Sequence, residues 1–136
     1  MFAATLLAGA SGCKAAAAPS PVLATETFSG TLQALGVAFH QFTIQYAFSS
    51  TDLSATVTSV NVTPPITLGL GFGVISGTTC AVQISAPAAT VGQELFAPNG
   101  ASAGTYCVQV FDNVDATTGL GTVTGSVNYV LTVNHY

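Results

Sequence analysis

From residue 23 onward the chain alternates larger apolar side chains with Thr, Ser, Gly and other small residues, at a period of two. That period puts successive side chains on opposite faces of an extended strand, and no helical period of useful length interrupts it. The alternation predicts strands over about 24–32, 37–48, 53–62, 66–75, 79–85, 94–97, 104–111 and 126–135. Phe42, Ile44, Tyr46 and Phe48 share a face of the second strand. Leu53, Ala55, Val57 and Ser59 share a face of the third, and Val127, Tyr129, Leu131 and Val133 a face of the last. Turn chemistry separates them. Ser49-Ser50-Thr51-Asp52 is a polar cluster, Pro64-Pro65 cannot donate to a ladder, and Pro98-Asn99-Gly100 favours positive φ at its glycine. About eight short strands at this spacing predict an all-β fold, a single β-sandwich or jelly roll of antiparallel strands over 23–136. Residues 1–22 form an N-terminal extension and linker ahead of it.

One segment departs from ordinary alternation. In Ile66 to Ile75, Leu68, Leu70, Phe72 and Val74 alternate with Gly69, Gly71 and Gly73. One face is large and apolar and the other carries no side chain. Glycine weakens a strand interior, so Gly69, Gly71 and Gly73 mark a face that another surface approaches closely: a loop, a partner or a neighbouring subunit.

Composition narrows the function. Charged residues are 4% of the 136, one base and five acids, against 49% apolar. The base is Lys14 and the acids are Glu26, Asp52, Glu94, Asp112 and Asp115. Nucleic-acid binding and attachment to anionic headgroups both need several cations, so neither is expected. Charge-poor surfaces of Thr, Ser, Asn, Gln, Gly and Ala suit packing against copies of the same chain, and they also suit an ordinary extracellular β-domain.

The N-terminus and the cysteines belong together. Phe2 to Gly12 is apolar and small-residue-rich, too short to span a membrane, and similar to the end of a secretory signal peptide. Ala10-Ser11-Gly12-Cys13 resembles a permissive bacterial lipobox, in which Cys13 would carry lipid and give the only membrane attachment expected. No basic stretch precedes the apolar run. In a second reading the segment, with Phe2, Leu6 and Leu7, adds a strand to a neighbouring subunit and Cys13 cross-links subunits. Cys80 and Cys107 remain as an even pair, which in a secreted β-domain reads as a disulfide; two buried free thiols are the alternative.

Candidate chemistry is sparse. His40 and His135 show no ligand spacing with either cysteine, no CxxC is present, and no Gly-x-Ser-x-Gly elbow accompanies the histidines. No enzyme, cofactor or resident metal is expected. Asp112-Asn113-Val114-Asp115 is a weak calcium candidate through Asp112 and Asp115, set against a polar turn held by side-chain hydrogen bonds.

Gly104-Thr105-Tyr106-Cys107-Val108-Gln109-Val110-Phe111-Asp112, followed by Tyr129-Val130-Leu131-Thr132-Val133, resembles the end of bacterial pre-peptidase C-terminal domains. Phe28-Ser29-Gly30-Thr31-Leu32 leading to His40-Gln41-Phe42-Thr43-Ile44 resembles their beginning. The resemblance covers roughly residues 24–135 and implies a secreted jelly-roll accessory module. The chain departs from that family where Leu68-Gly69-Leu70-Gly71 replaces acidic residues of the middle strands, which argues against calcium.

Two functional expectations follow. In the first the chain is a non-enzymatic, secreted, self-assembling subunit of a surface filament or layer, partnered by copies of itself. In the second it is a lipid-anchored binding module of the bacterial cell surface.

Overall fold

The apolar alternation closes into two layers. The computed structural model describes residues 16–47, 52–97 and 99–136. They form eight strands: β1 Ala24–Gln33, β2 Val37–Ile44, β3 Ser54–Val60, β4 Leu68–Ser76, β5 Thr79–Ala89, β6 Glu94–Phe96, β7 Gly104–Asp112 and β8 Ser126–His135. One sheet runs β1-β8-β3-β6 and the other β2-β7-β4-β5, all pairs antiparallel. Consecutive strands mostly lie in opposite sheets, the interleaved order of a jelly roll. The fold is therefore the predicted β-sandwich. Phe2, Leu6, Leu7 and Cys13 lie outside the described residues, as does Phe48.

The core is the set of inward positions that the period of two selects. Leu68, Leu70 and Phe72 of β4, Val108 and Val110 of β7, and Phe42 and Ile44 of β2 face Ala55 and Val57 of β3 and Tyr129, Leu131 and Val133 of β8. Each large side chain so enclosed contributes about 2 kcal/mol of hydrophobic stabilisation. Two inward assignments change. β2 ends at Ile44, leaving Tyr46 45% exposed. A register shift between Val57 and Ser59 in the β3–β8 ladder returns Val60, not Ser59, to the core side.

The glycine face of β4 is approached closely, as expected, but by the chain's own sheet. The Phe111 ring of β7 lies over Gly69, and a Val82 methyl of β5 lies over Gly71. At Gly73 the Ala81 carbonyl oxygen occupies the space a Cβ would need. This crossing explains a bond that a flat sheet forbids. β5 and β7 flank β4, and next-nearest strands stand about 9.5 Å apart, beyond the roughly 7 Å Cα separation a disulfide tolerates. Yet Cys80 and Cys107 are bonded, with Cα atoms 5.8 Å apart. The ladder shifts register between Phe72 and Gly73, and β5 bends over bare Gly73 toward β7. Cys107 is wholly buried beneath it.

Candidate functional site

β1 and β2 are the edge strands along one side of the sandwich, and both histidines sit at that seam. His40 points inward from β2. Its ring stacks on Phe28 of β1 at 4.9 Å, and its Nε2 is 2.8 Å from the Tyr129 hydroxyl of β8. Tyr129 reaches it by lying across Gly30, its register partner, where a Cβ would collide with the phenol. Burial holds the His40 imidazole below its ordinary value and pushes the Tyr129 phenol up. At neutral pH the pair is thus an uncharged hydrogen bond between two rings.

The second histidine, His135, ends β8. His135 Nε2 is 2.7 Å from Glu26 Oε1, and its ring centroid is 5.3 Å from that of Phe42. They line an open cleft of about 400 Å³ with Gln41, Thr43, Tyr46 and Tyr136. No serine or cysteine lines it. The Glu26–His135 pair ties the end of β8 to β1. Sequence reasoning left the two clusters unassembled; the signal available was Gly30, an interior strand glycine that marks a close approach.

The protonation state of His40 gives a pH dependence. Its folded pKa lies below 6.5, so the unfolded chain takes up its proton first as pH falls. The stability His40 confers is complete above about pH 6.5 and is lost as pH drops through that value and the lower folded one. Denaturant melts at pH 7.5 and 5 are expected to show the acid loss, and His40→Gln to flatten it; an unchanged slope in the variant would remove His40 as the source.

The two aspartates are separately employed. Asp112, 3% exposed, accepts at Oδ2 from the Leu35 N–H (2.9 Å) and at Oδ1 from the N–H groups of Thr122 (2.8 Å) and Val123 (3.0 Å) and the Thr122 hydroxyl. Burial pushes its carboxyl up, but these donors outweigh it and hold the pKa below the ordinary value. Asp115 Oδ1 accepts from the N–H groups of Thr118 and Thr117, both at 2.8 Å, which lowers its pKa. The carboxylates shape turns, the second of the two roles weighed for them. Among the described residues no group of three or more His, Cys, Asp or Glu side chains is placed to hold a metal ion.

What the fold offers outward is uncharged surface. On the outer face of the first sheet, Thr25 donates to Asn134 Oδ1 (2.6 Å) and Thr31 to Asn128 Oδ1 (2.7 Å). The β1 and β2 edges, ten and eight residues long, carry one ionic side chain between them, Glu26, and that is held by His135. Edges of soluble proteins are usually guarded by charge, proline, bulges or shortness. β6 is guarded by its three-residue length and β5 by Pro87; β1 and β2 have neither.

No family model matches the chain, and no curated protein does. Among solved structures it is similar to the Yersinia pseudotuberculosis-derived mitogen, with a TM-score of 0.52 and 15% identity over 85% of this chain and 88% of that one. It also aligns with a subunit of Bacillus endospore appendages, described as a novel family of disulfide-linked pili, at a TM-score of 0.34 and 16% identity over 84% and 86% of the two chains. The first likeness supports the fold alone, and the second is too low to bear on function.

Proposed function

We propose that the chain is a non-enzymatic, extracellular structural protein, a β-sandwich subunit that assembles with copies of itself into a surface filament or layer through contacts that include its N-terminal segment. The observation that carries this reading is the unguarded side of the sandwich, where β1 and β2 present eighteen residues of strand edge to solvent with almost no charge. Open edges of that length are templates for pairing with another chain. The Cys80–Cys107 bond supports the extracellular placement, since disulfides persist in oxidising compartments.

The test is sedimentation and negative-stain microscopy of the full chain, beside Gln41→Lys, which puts a charge on the exposed outer side of the β2 edge. Ordered multimers in the native chain, reduced in the variant without change in melting temperature, are expected. A chain that remains monomeric up to millimolar concentration would sink the reading.

A further inference from the structure

The first sheet carries a second feature on its outer face, an open groove of about 440 Å³ where β1, β8 and β3 run side by side. That volume falls within the roughly 300–1,000 Å³ of small-ligand sites. Ser29, Thr31, Ser59, Asn61 and Asn128 line it, and all five are exposed. Val130 lines it too, half-buried on the outward register of β8. Val60 and Tyr129 border it from positions whose side chains belong to the core. Ser59 reaches the outer face because the β3–β8 register shifts between Val57 and Ser59, and bulges re-aim side chains in this way.

The amides at this groove are aimed. Asn61 and Asn128 hold each other twice. The Asn128 N–H donates to Asn61 Oδ1 (2.7 Å), and the Asn61 N–H donates to the Asn128 carbonyl oxygen (3.1 Å). The Thr31 hydroxyl in turn donates to Asn128 Oδ1 (2.7 Å). With each amide oxygen held, the planar amide fixes where its Nδ2 group lies. Among the described residues neither Nδ2 hydrogen-bonds to the protein. Two oriented donors therefore stand beside the hydroxyls of Ser29 and Ser59.

We propose that this groove binds a neutral saccharide. Among the described residues no ionic side chain lines it, and the chain's formal net charge is −4. A phosphate, sulfate or carboxylate would find no cation there, and a cation would find no carboxylate. An apolar ligand would strip water from two amides and leave them unpaired. A peptide strand gains its affinity from main-chain pairing, and β8 at the centre of the groove is already paired on both sides, by β1 and β3. Sugar hydroxyls fit: each donates and accepts at once, which matches the amide donors and the serine and threonine oxygens. The Val130 side chain suits the C–H side of a sugar ring. This site goes beyond the assembly reading and stands without it.

The experiment titrates the ¹⁵N-labelled full chain with maltose, cellobiose, lactose and diacetylchitobiose, and separately with inorganic phosphate, followed by NMR. Saturable shifts of the Asn61 and Asn128 side-chain amide signals with at least one of these sugars are expected, with a millimolar dissociation constant. Asn61→Asp keeps an Oδ1 acceptor for the Asn128 N–H but has no Nδ2 donor. It is expected to keep the melting temperature and to weaken the sugar about fivefold, the weight of one neutral hydrogen bond. Ser29→Ala, at an exposed position, is expected to weaken it about twofold. Affinity unchanged in both variants, shifts confined to other parts of the chain, or no saturable shift with any of these sugars would overturn the site. A tighter response of the same signals to phosphate would overturn the neutral class of ligand. Each readout is taken on the unassembled chain, so a failure here leaves the assembly reading as it was.

Discussion

Asp112→Ala is expected to lower stability by about 3 kcal/mol or more, seen as a fall in melting temperature of roughly 10 °C. The carboxylate joins three pieces of backbone far apart in sequence: the β1–β2 turn at Leu35, the end of β7, and the approach to β8 at Thr122 and Val123. Removing it strips the Leu35 and Val123 N–H groups of this acceptor at a nearly closed site and leaves the Thr122 N–H only the Asn113 carbonyl oxygen at 3.2 Å, and a donor that loses a charged acceptor loses more than an average hydrogen bond. Asp112→Asn retains one acceptor oxygen and is expected to recover about half the loss. The same network fixes an acid limit. Since the folded pKa is below 3.8, the contribution of Asp112 is intact above that value and disappears as pH falls through the folded one. It therefore separates from the His40 effect near pH 6.5. A melting temperature for Asp112→Ala within two or three degrees of the parent would show that the turn and loop hold without it.

The second large effect is expected at Gly73. In Gly73→Ala the new methyl meets the Ala81 carbonyl and the Val82 Cα, both backbone, so β5 must lift from the face of β4. Lifting separates Cys80 from Cys107, and closing a loop of this sequence separation, 27 residues, is worth about 3.5 kcal/mol in the chain-entropy account. The variant is expected to show free thiols on titration in denaturant without reductant, together with a stability loss of that size. Gly71→Ala is the contrast: its nearest neighbour is a Val82 methyl at 2.8 Å, the end of a side chain on an exposed edge, which can turn aside at smaller cost. An intact disulfide and unchanged melting in Gly73→Ala would refute the crossing as the reason the bond forms.

Most of the architecture was readable because a half-buried strand writes its orientation into every second residue. Val127, Tyr129, Leu131 and Val133 were assigned to one face of β8, and all four are buried. β1, β4, β7 and β8 begin and end within two residues of the limits expected. Edges are harder: β5 continues through Ala86 and Pro87 to Ala89 because an edge strand needs no donor on its outer side, and β2 stops before Tyr46. The glycines of β4 announced a close approach but not its source, since a missing Cβ records that space is filled and not by what. Strand order and the meeting of His40 with Tyr129, 89 residues apart, depend on the interleaving of two sheets, which no local pattern encodes. Asp112 carried an unhelpful neighbour in Asp115, whose proximity suggested a shared ligand set; the donors it serves come from 77 residues before and about ten after.

The register of β1 on β8 also sets how the domain bears tension. Ten residues of β1 lie antiparallel along β8, with Ala24 opposite His135 and Gln33 opposite Ser126. A pull between residues 23 and 136 acts at one pole and opens that ladder a rung at a time. A pull that enters through residue 23 and leaves by the far pole drags β1 along its own axis and loads every rung together. Forced unfolding is governed by the unfolding rate rather than by equilibrium stability, so the same sandwich is a weak link in the first direction and a strong one in the second.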